Sequence, residues 1–450
     1  MKIEQRLDPG YPVFDPDDIK QYVHGVNLYR RLEHTPGARP VLIYPPLGNV
    51  EVAIEYFAGR LGILTLARFK REYGGDQNSI LPSPINDRII ERGVLDSPQT
   101  ICNPFKDTQG YFLQALDEFA SVQSQTCGDF YEFLMTHRSS GYCRERCYGA
   151  LGELILRDSS QNLHKDFDFY AVHESLPGIW QLISDLSHMT GRNRFGIIKI
   201  LNEAIERLDM VEKFEDRVRY NQSLAEDYYA PEKILVEAKH QAASLDLTNS
   251  KLEEEFVKHL EKVESFRKIR EEPIGVVAIT GEIFHCEELM RYPSHNLGAE
   301  LLKRGFYFKR EVGLHHYTPR FRLDWKRLAK FALSQINPFR RDITAEEAAA
   351  GGLMYDPGGH AKDIVALAER QTKTGEYDGI LEIYPFNCSP SVAIAEIVDK
   401  ILARSKIPYL RVQMDVGAGV AGLITRIEAW LEMIVRKKQR MWETSDTMVK

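Results

Sequence analysis

The sequence has no apolar run approaching the roughly 18–20 residues of a transmembrane helix, so no helical membrane span and no membrane partner are expected. It has no G-x-x-x-x-G-K-[ST] and no G-x-S-x-G, so neither a Walker-type ATP site nor a nucleophile elbow is expected. No Lys/Arg-rich stripe stands out and the net charge is −7, which argues against a nucleic-acid partner. The one basic run, Arg436-Lys437-Lys438-Gln439-Arg440, reads as a solvated helix end favoured by the dipole. The first residues, Met1-Lys2-Ile3-Glu4-Gln5-Arg6, lack the apolar stretch and cleavage site of a secretory signal, so a cytoplasmic setting is expected. No tandem repeat of 20–50 residues is evident. Cysteine is scarce, six in 450 residues. In a reducing compartment those six are expected to bind metal or react, not to form structural disulfides.

A chain of 450 residues exceeds one compact core, so two or three domains are expected. Hydrophobic residues make up 43% and charged residues 27%, an ordinary globular balance. Residues 1–39 are polar and Pro-rich and read as an N-terminal arm. Pro40–Tyr44 reads as a strand, and Val50–Leu61 as a helix closed by Gly62. Gln99–Cys102 reads as a second strand, followed by helices at 108–121 and 150–157. Residues 40–170 thus form a first α/β domain. Helical spacing dominates 171–270, through Leu182, Leu186, Ile198, Leu201, Ile205 and Leu208. Strands return at Pro273–Ile279, Tyr307–Lys309, Gly379–Tyr384 and Pro408–Gln413, alternating with helices 392–403 and 423–435. This gives a second α/β domain over 271–435 and a charged tail over 436–450. The expected fold is α/β, with two Rossmann/flavodoxin-like parallel-sheet domains and a helical segment between them.

Three cysteines stand where a strand or loop hands over to a helix: Ile101-Cys102-Asn-Pro-Phe-Lys106, Gly141-Tyr-Cys143-Arg144 and Pro385-Phe-Asn-Cys388-Ser-Pro390. A helix N-terminus offers unpaired N–H groups and a positive dipole end. Both favour an anion such as a thiolate-bound metal or iron–sulfur cluster. Ligands of open α/β sheets bind at the carboxyl ends of strands, so thiolates from two domains that face each other can meet in the cleft. The plainer reading is three buried free cysteines. A structural zinc site uses the same atoms.

These segments resemble the cluster-binding subunits of 2-hydroxyacyl-CoA dehydratases, and more closely their activase-related branch. That family carries Cys-x-Pro-Phe-Lys, Gly-Pro-Cys-Arg-x-Gly-x-Tyr-Gly and Pro-Phe-x-Cys-x-Pro motifs. Asn86–Pro98, Gly110, Tyr148-Gly149, the Gly281-Glu282-Ile283 turn and Thr425–Trp430 extend the resemblance over roughly 40–430. It implies a [4Fe–4S] cluster on Cys102, Cys143 and Cys388 with one iron left open. Lys106 and Arg144 would then tune its charge. It also implies an oxygen-sensitive one-electron acceptor of dehydratase or reductase type. A separate ATP-hydrolysing activator would supply the electron, an acyl-CoA would be the substrate, and two similar subunits would pair. Non-catalytic alternatives are an electron carrier and a cluster scaffold.

The chain departs from the second motif, with Tyr142 in place of Pro, Glu145-Arg146 in place of x-Gly, and an added Cys147. Cys147 lies four residues after Cys143, on one face if the segment is α-helical, and is a candidate fourth ligand that would close the open iron. Cys127, and Cys286 beside His285, lie outside the motifs and read as local packing. Glu282 and His360 sit on turns between α/β elements, candidates for acid–base work but more simply structural. Gly417-Ala-Gly-Val-Ala-Gly422 fits G-x-G-x-x-G yet lacks the following strand and acidic residue of a dinucleotide site. It reads as a tight turn or an anion-binding turn, as does Gly358-Gly359-His360.

Overall fold

The computed structural model describes residues 38–138, 143–159, 167–173, 176–288, 296–313, 322, 343–414 and 420–448. Residues 1–37 of the N-terminal arm, 139–142 and 417–419 lie outside them, and Arg39, at the end of the expected arm, begins the first strand.

The first half runs β1 (Arg39–Ile43), α1 (Val50–Leu61), β2 (Leu64–Thr65), α2 (Leu66–Tyr73), α3 (Asp87–Asp96), α4 (Asn103–Gln123), β3 (Phe130–Arg138), α5 (Tyr148–Ser159) and β4 (Asp168–His173). Four long helices follow: α6 (Leu176–Thr190), α7 (Arg194–Leu224), α8 (Tyr229–Ala243) and α9 (Asn249–Glu264). The second half runs β5 (Gly275–Gly281), α10 (Ile283–Glu288), α11 (Leu297–Lys303), β6 (Phe306–Arg310), α12 (Ile343–Ala350), α13 (Ala361–Thr374), β7 (Gly379–Pro385), α14 (Ser389–Ser405), β8 (Tyr409–Met414) and α15 (Val420–Met448).

Both halves are α/β, each with a four-stranded, all-parallel sheet: β2-β1-β3-β4 and β6-β5-β7-β8. Helices cover both faces of each sheet, as the uninterrupted apolar strands require. Side chains alternate between faces along a strand. Val41 and Ile43 enter one core with Phe69, Ile89 and Phe112, while Leu42 and Tyr44 enter the opposite core with Ile179 and Ile183. Leu381 and Ile383 likewise face Trp430 and Ile434, whereas Ile380 faces Ile364 and Ile394.

Both sheets reverse strand order at an equivalent place, between β1 and β3 and between β5 and β7. Such a switch point opens a crevice at the carboxyl edge of a sheet. Gly281 shapes the second one. It adopts φ 130°, and a Cβ there would lie 1.9 Å from the Ile383 carbonyl. Only glycine lets β5 end this close to β7. In the first half Gly93 and Gly110 bring α3 and α4 together backbone to backbone. A Cβ on Gly93 would sit 1.8 Å from the Lys106 carbonyl oxygen, and one on Gly110 would sit 1.9 Å from that of Ile89.

Helix α7 joins the halves, packing on α1 on one side and on α11 and β6 on the other. Its Glu215 is 1% exposed. Asn49, capping α1, donates to Glu215 at 2.6 Å, and Arg310, ending β6, donates to it at 2.5 Å. Lys239 from α8 lies 3.1 Å away. Burial alone would raise the Glu215 carboxyl; Arg310, Lys239 and Arg219 outweigh it and hold the carboxyl well below the ordinary range.

Three sequence expectations are corrected. Gln99–Cys102 is no strand but a turn between α3 and α4: Ile101 is its one apolar side chain, and its amide bonds back to the Pro98 carbonyl at 3.2 Å. Two strands that the sequence reading did not place, β3 and β4, complete the first sheet instead. The basic run at 436–440 lies inside α15, with no break in the helix at 436. Elsewhere the expected elements form, Val50–Leu61 with the expected ends and a left-handed Gly62 cap at φ 79°.

Two stability outcomes follow from this packing. Gly93→Ala should cost about 1–3 kcal/mol or more through overpacking, read as a lowered urea midpoint. Glu215→Ala removes one buried partner of Arg310, which keeps its pair with Glu212 at 3.0 Å, and should cost about 1.5–3 kcal/mol, the worth of a hydrogen bond to a charged group. The Glu215 contribution is present above its ordinary value of 4.5 and fades as pH falls through the depressed folded value. Wild type should therefore lose thermal stability more steeply than Glu215→Gln as pH falls from 4.5 to that depressed value.

Candidate functional site

Each of the three motif cysteines precedes a helix. Cys102 is extended (φ −75°, ψ 155°) at the N-cap of α4, and Cys388 (φ −71°, ψ 102°) at the N-cap of α14. Both helices continue with a residue and then proline, Pro104 and Pro390. The first N–H groups of a helix have no partner within it, so proline removes nothing there. Cys143 (φ −64°, ψ 139°) precedes a 3-10 turn, Arg144–Cys147, that runs into α5. A helix connecting parallel strands starts at the carboxyl edge of the sheet. That rule places each N-terminus at the carboxyl edge of its own sheet.

They line one cavity between the halves, about 740 Å³ including its open mouth, which also takes in Phe105, Tyr148 and Glu282. The cavity spans both switch points: Pro45 and Leu47 follow β1, Thr136 is on β3, Glu282 follows β5, and Cys388 follows β7. Asn387 turns the chain from β7 into α14 at φ 63°, a left-handed conformation that asparagine tolerates. Its carbonyl accepts from Arg144 and its side chain donates to the Thr100 carbonyl at 3.4 Å. Arg144 also donates to Thr100, at 3.0 Å, so its guanidinium clasps the two halves at the rim. Asn103 adds a second link, donating to the Met414 carbonyl at 3.3 Å.

The sulfurs have defined polar neighbours. Cys102 Sγ lies 2.8 Å from the Tyr148 hydroxyl, and the Ser391 hydroxyl lies 3.3 Å from Cys388 Sγ. Burial pushes the Cys102 thiol up to about 12, against the opposing pull of the Tyr148 hydroxyl and the Phe105 amide. Burial pushes Cys143 up to about 11, opposed by the Glu145 amide. Cys388 is raised for the same reason, opposed by the hydroxyl and amide of Ser391. The Glu282 carboxylate raises all three. Without a bound cation, then, the site holds neutral thiols, and a cation that binds there must displace their protons.

The other predicted residues separate. Lys106 is buried and does not line the cavity; its ammonium donates to the Gln99 carbonyl at 3.3 Å and so braces the turn before Cys102. Cys147 ends the 3-10 turn while Cys143 stands outside it in extended conformation, so the α-helical four-residue relation between them does not hold. The side chains of Cys147 and His285 lie outside the described residues. Cys127 is exposed, and Cys286 is packed in the second core at 1% exposure. His360 caps α13, 3.9 Å from Asp363. Tyr148, Ser391 and Asn387 were missed as site residues. Ser391 was legible as the third residue after a capping cysteine; Tyr148 meets Cys102 across 46 positions and was not.

Among the described residues, no three His, Cys, Asp or Glu side chains come close enough together to hold a single metal ion. Also among them, no helix is long and apolar enough to cross a membrane. The chain matches no protein-family model and no curated protein.

Alkylation rates test the electrostatics of the metal-free protein. At pH 8, Cys127 should react with iodoacetamide at least about a hundredfold faster than Cys102 or Cys143, followed by peptide mass spectrometry. The two slow rates should keep rising about tenfold per pH unit past pH 10. Equal rates at all three would contradict the burial described.

Proposed function

We propose that the protein holds a [4Fe–4S] cluster on Cys102, Cys143 and Cys388 and works as a one-electron-accepting component of reductase or dehydratase type. The observation that carries this reading is the convergence of three capping cysteines, from both halves, on one cavity. When bound, such a cluster supplies one-electron transfer and one iron with an open position.

The remaining roles fall to the chain's own residues. The helix N-termini direct their amides at the anion. Phe105, Pro104 and Pro390 present apolar surface that excludes water. Arg144 holds the halves closed over the cavity and leaves a positive charge at its rim. Glu282 lines the cavity and places a carboxylate near the sulfurs. In this reading the electron comes from a separate ATP-hydrolysing activator or another donor. The acyl-CoA substrate, pairing of two similar subunits and a cytoplasmic, oxygen-sensitive life belong to the same reading.

Iron and acid-labile sulfide content, with EPR before and after dithionite on protein purified without oxygen, tests it. About four of each per chain and a reduced-cluster signal are expected. Cys102→Ser, Cys143→Ser and Cys388→Ser should each lose most of the iron, and Cys127→Ser none. Full iron in any of the three, or one zinc in a colourless wild type, would overturn the assignment. A reduced signal that acyl-CoA leaves unchanged would favour an electron carrier or scaffold.

A further inference from the structure

We propose that Tyr148 sets the reduction potential of the site, its hydroxyl donating to the Cys102 sulfur as a positioning residue and not as a ligand. The inference rests on the cluster reading above. The hydroxyl and sulfur lie 2.8 Å apart, and either atom can be the donor when Cys102 is a thiol. A metal-bound thiolate has no proton to give, so the phenol must then donate. A phenol ionises near pH 10 in water and so carries its proton through the physiological range.

The ring cannot swing away freely. It packs against Phe105, with ring centroids 4.7 Å apart, and Phe105 lies on the helix that Cys102 caps. Tyr148 opens α5 directly after the 3-10 turn that Cys143 precedes. One short segment therefore delivers a ligand and also a donor to the ligand on the neighbouring helix. Ser391 repeats the arrangement at Cys388, with a longer contact of 3.3 Å.

Hydrogen bonds to cluster sulfurs help set the potential of an iron–sulfur centre. A donor stabilises the more negative, reduced state more than the oxidised one. Removing the Tyr148 hydroxyl should therefore make reduction harder. A tenfold shift in the one-electron equilibrium, about 59 mV more negative, is the expected size.

The test is an EPR-monitored redox titration of wild type and Tyr148→Phe, with iron content and circular dichroism measured on both. Phenylalanine keeps the ring against Phe105 and removes only the donor. The expected result is equal iron, an unchanged fold and a more negative midpoint, with a smaller shift in the same direction for Ser391→Ala. Equal midpoints in wild type and Tyr148→Phe would overturn the inference and leave the cluster reading standing. A folded Tyr148→Phe protein that holds no iron would also overturn it, making the residue a determinant of binding instead. A wild type that holds no cluster would end the cluster reading and this inference with it.

Discussion

Two carboxylates of α7, Glu215 and Glu212, join the halves: each accepts from Asn49 and from Arg310. Glu215 takes a hydrogen bond from Asn49 of the first half and an ion pair from Arg310 of the second. A buried carboxylate with so many partners is satisfied in one arrangement and costly in others. Helix α7, which bears it, is clamped to α1, α11 and β6, so the two switch points are set facing each other. Arg144 and Asn387 then close the rim with exposed contacts, and Asn103 adds a part-buried one.

Two opposed effects meet at the sulfurs. Burial and the Glu282 carboxylate favour the neutral thiol, while helix N-termini and two hydroxyls favour the thiolate. In the absence of a cation burial wins, as the raised values of Cys102 and Cys143 state. A cation reverses the balance, because its charge acts on the sulfurs at bonding distance in a low-dielectric cavity. Binding and proton release are therefore coupled, and the donors already in place lower the cost of creating the anion.

Much of the fold was legible, for identifiable reasons. The strands of the second half are continuous apolar runs such as Gly379–Tyr384, and glycine marks the end of Val50–Leu61. Gln99–Cys102 misled because a capping turn with one apolar residue resembles a short strand end. The placement of Cys102 and Cys388 at helix starts was readable from Pro104 and Pro390. What was not readable depends on contacts far apart in sequence. Glu215 and Arg310 are 95 positions apart, and Tyr148 reaches Cys102 only after α4 and α5 have packed. Lys106 illustrates the opposite error: it is one turn from Cys102 in sequence, but its side chain bonds to the Gln99 carbonyl outside the cavity.

The most direct test of the central claim is an anomalous-difference map at the iron absorption edge, from crystals grown without oxygen. The account predicts one compact iron peak in the cavity between the halves, within bonding reach of Cys102, Cys143 and Cys388 Sγ. Iron placed on other residues, or a cavity with three protonated thiols and no iron in protein isolated with its metal content preserved, would contradict it.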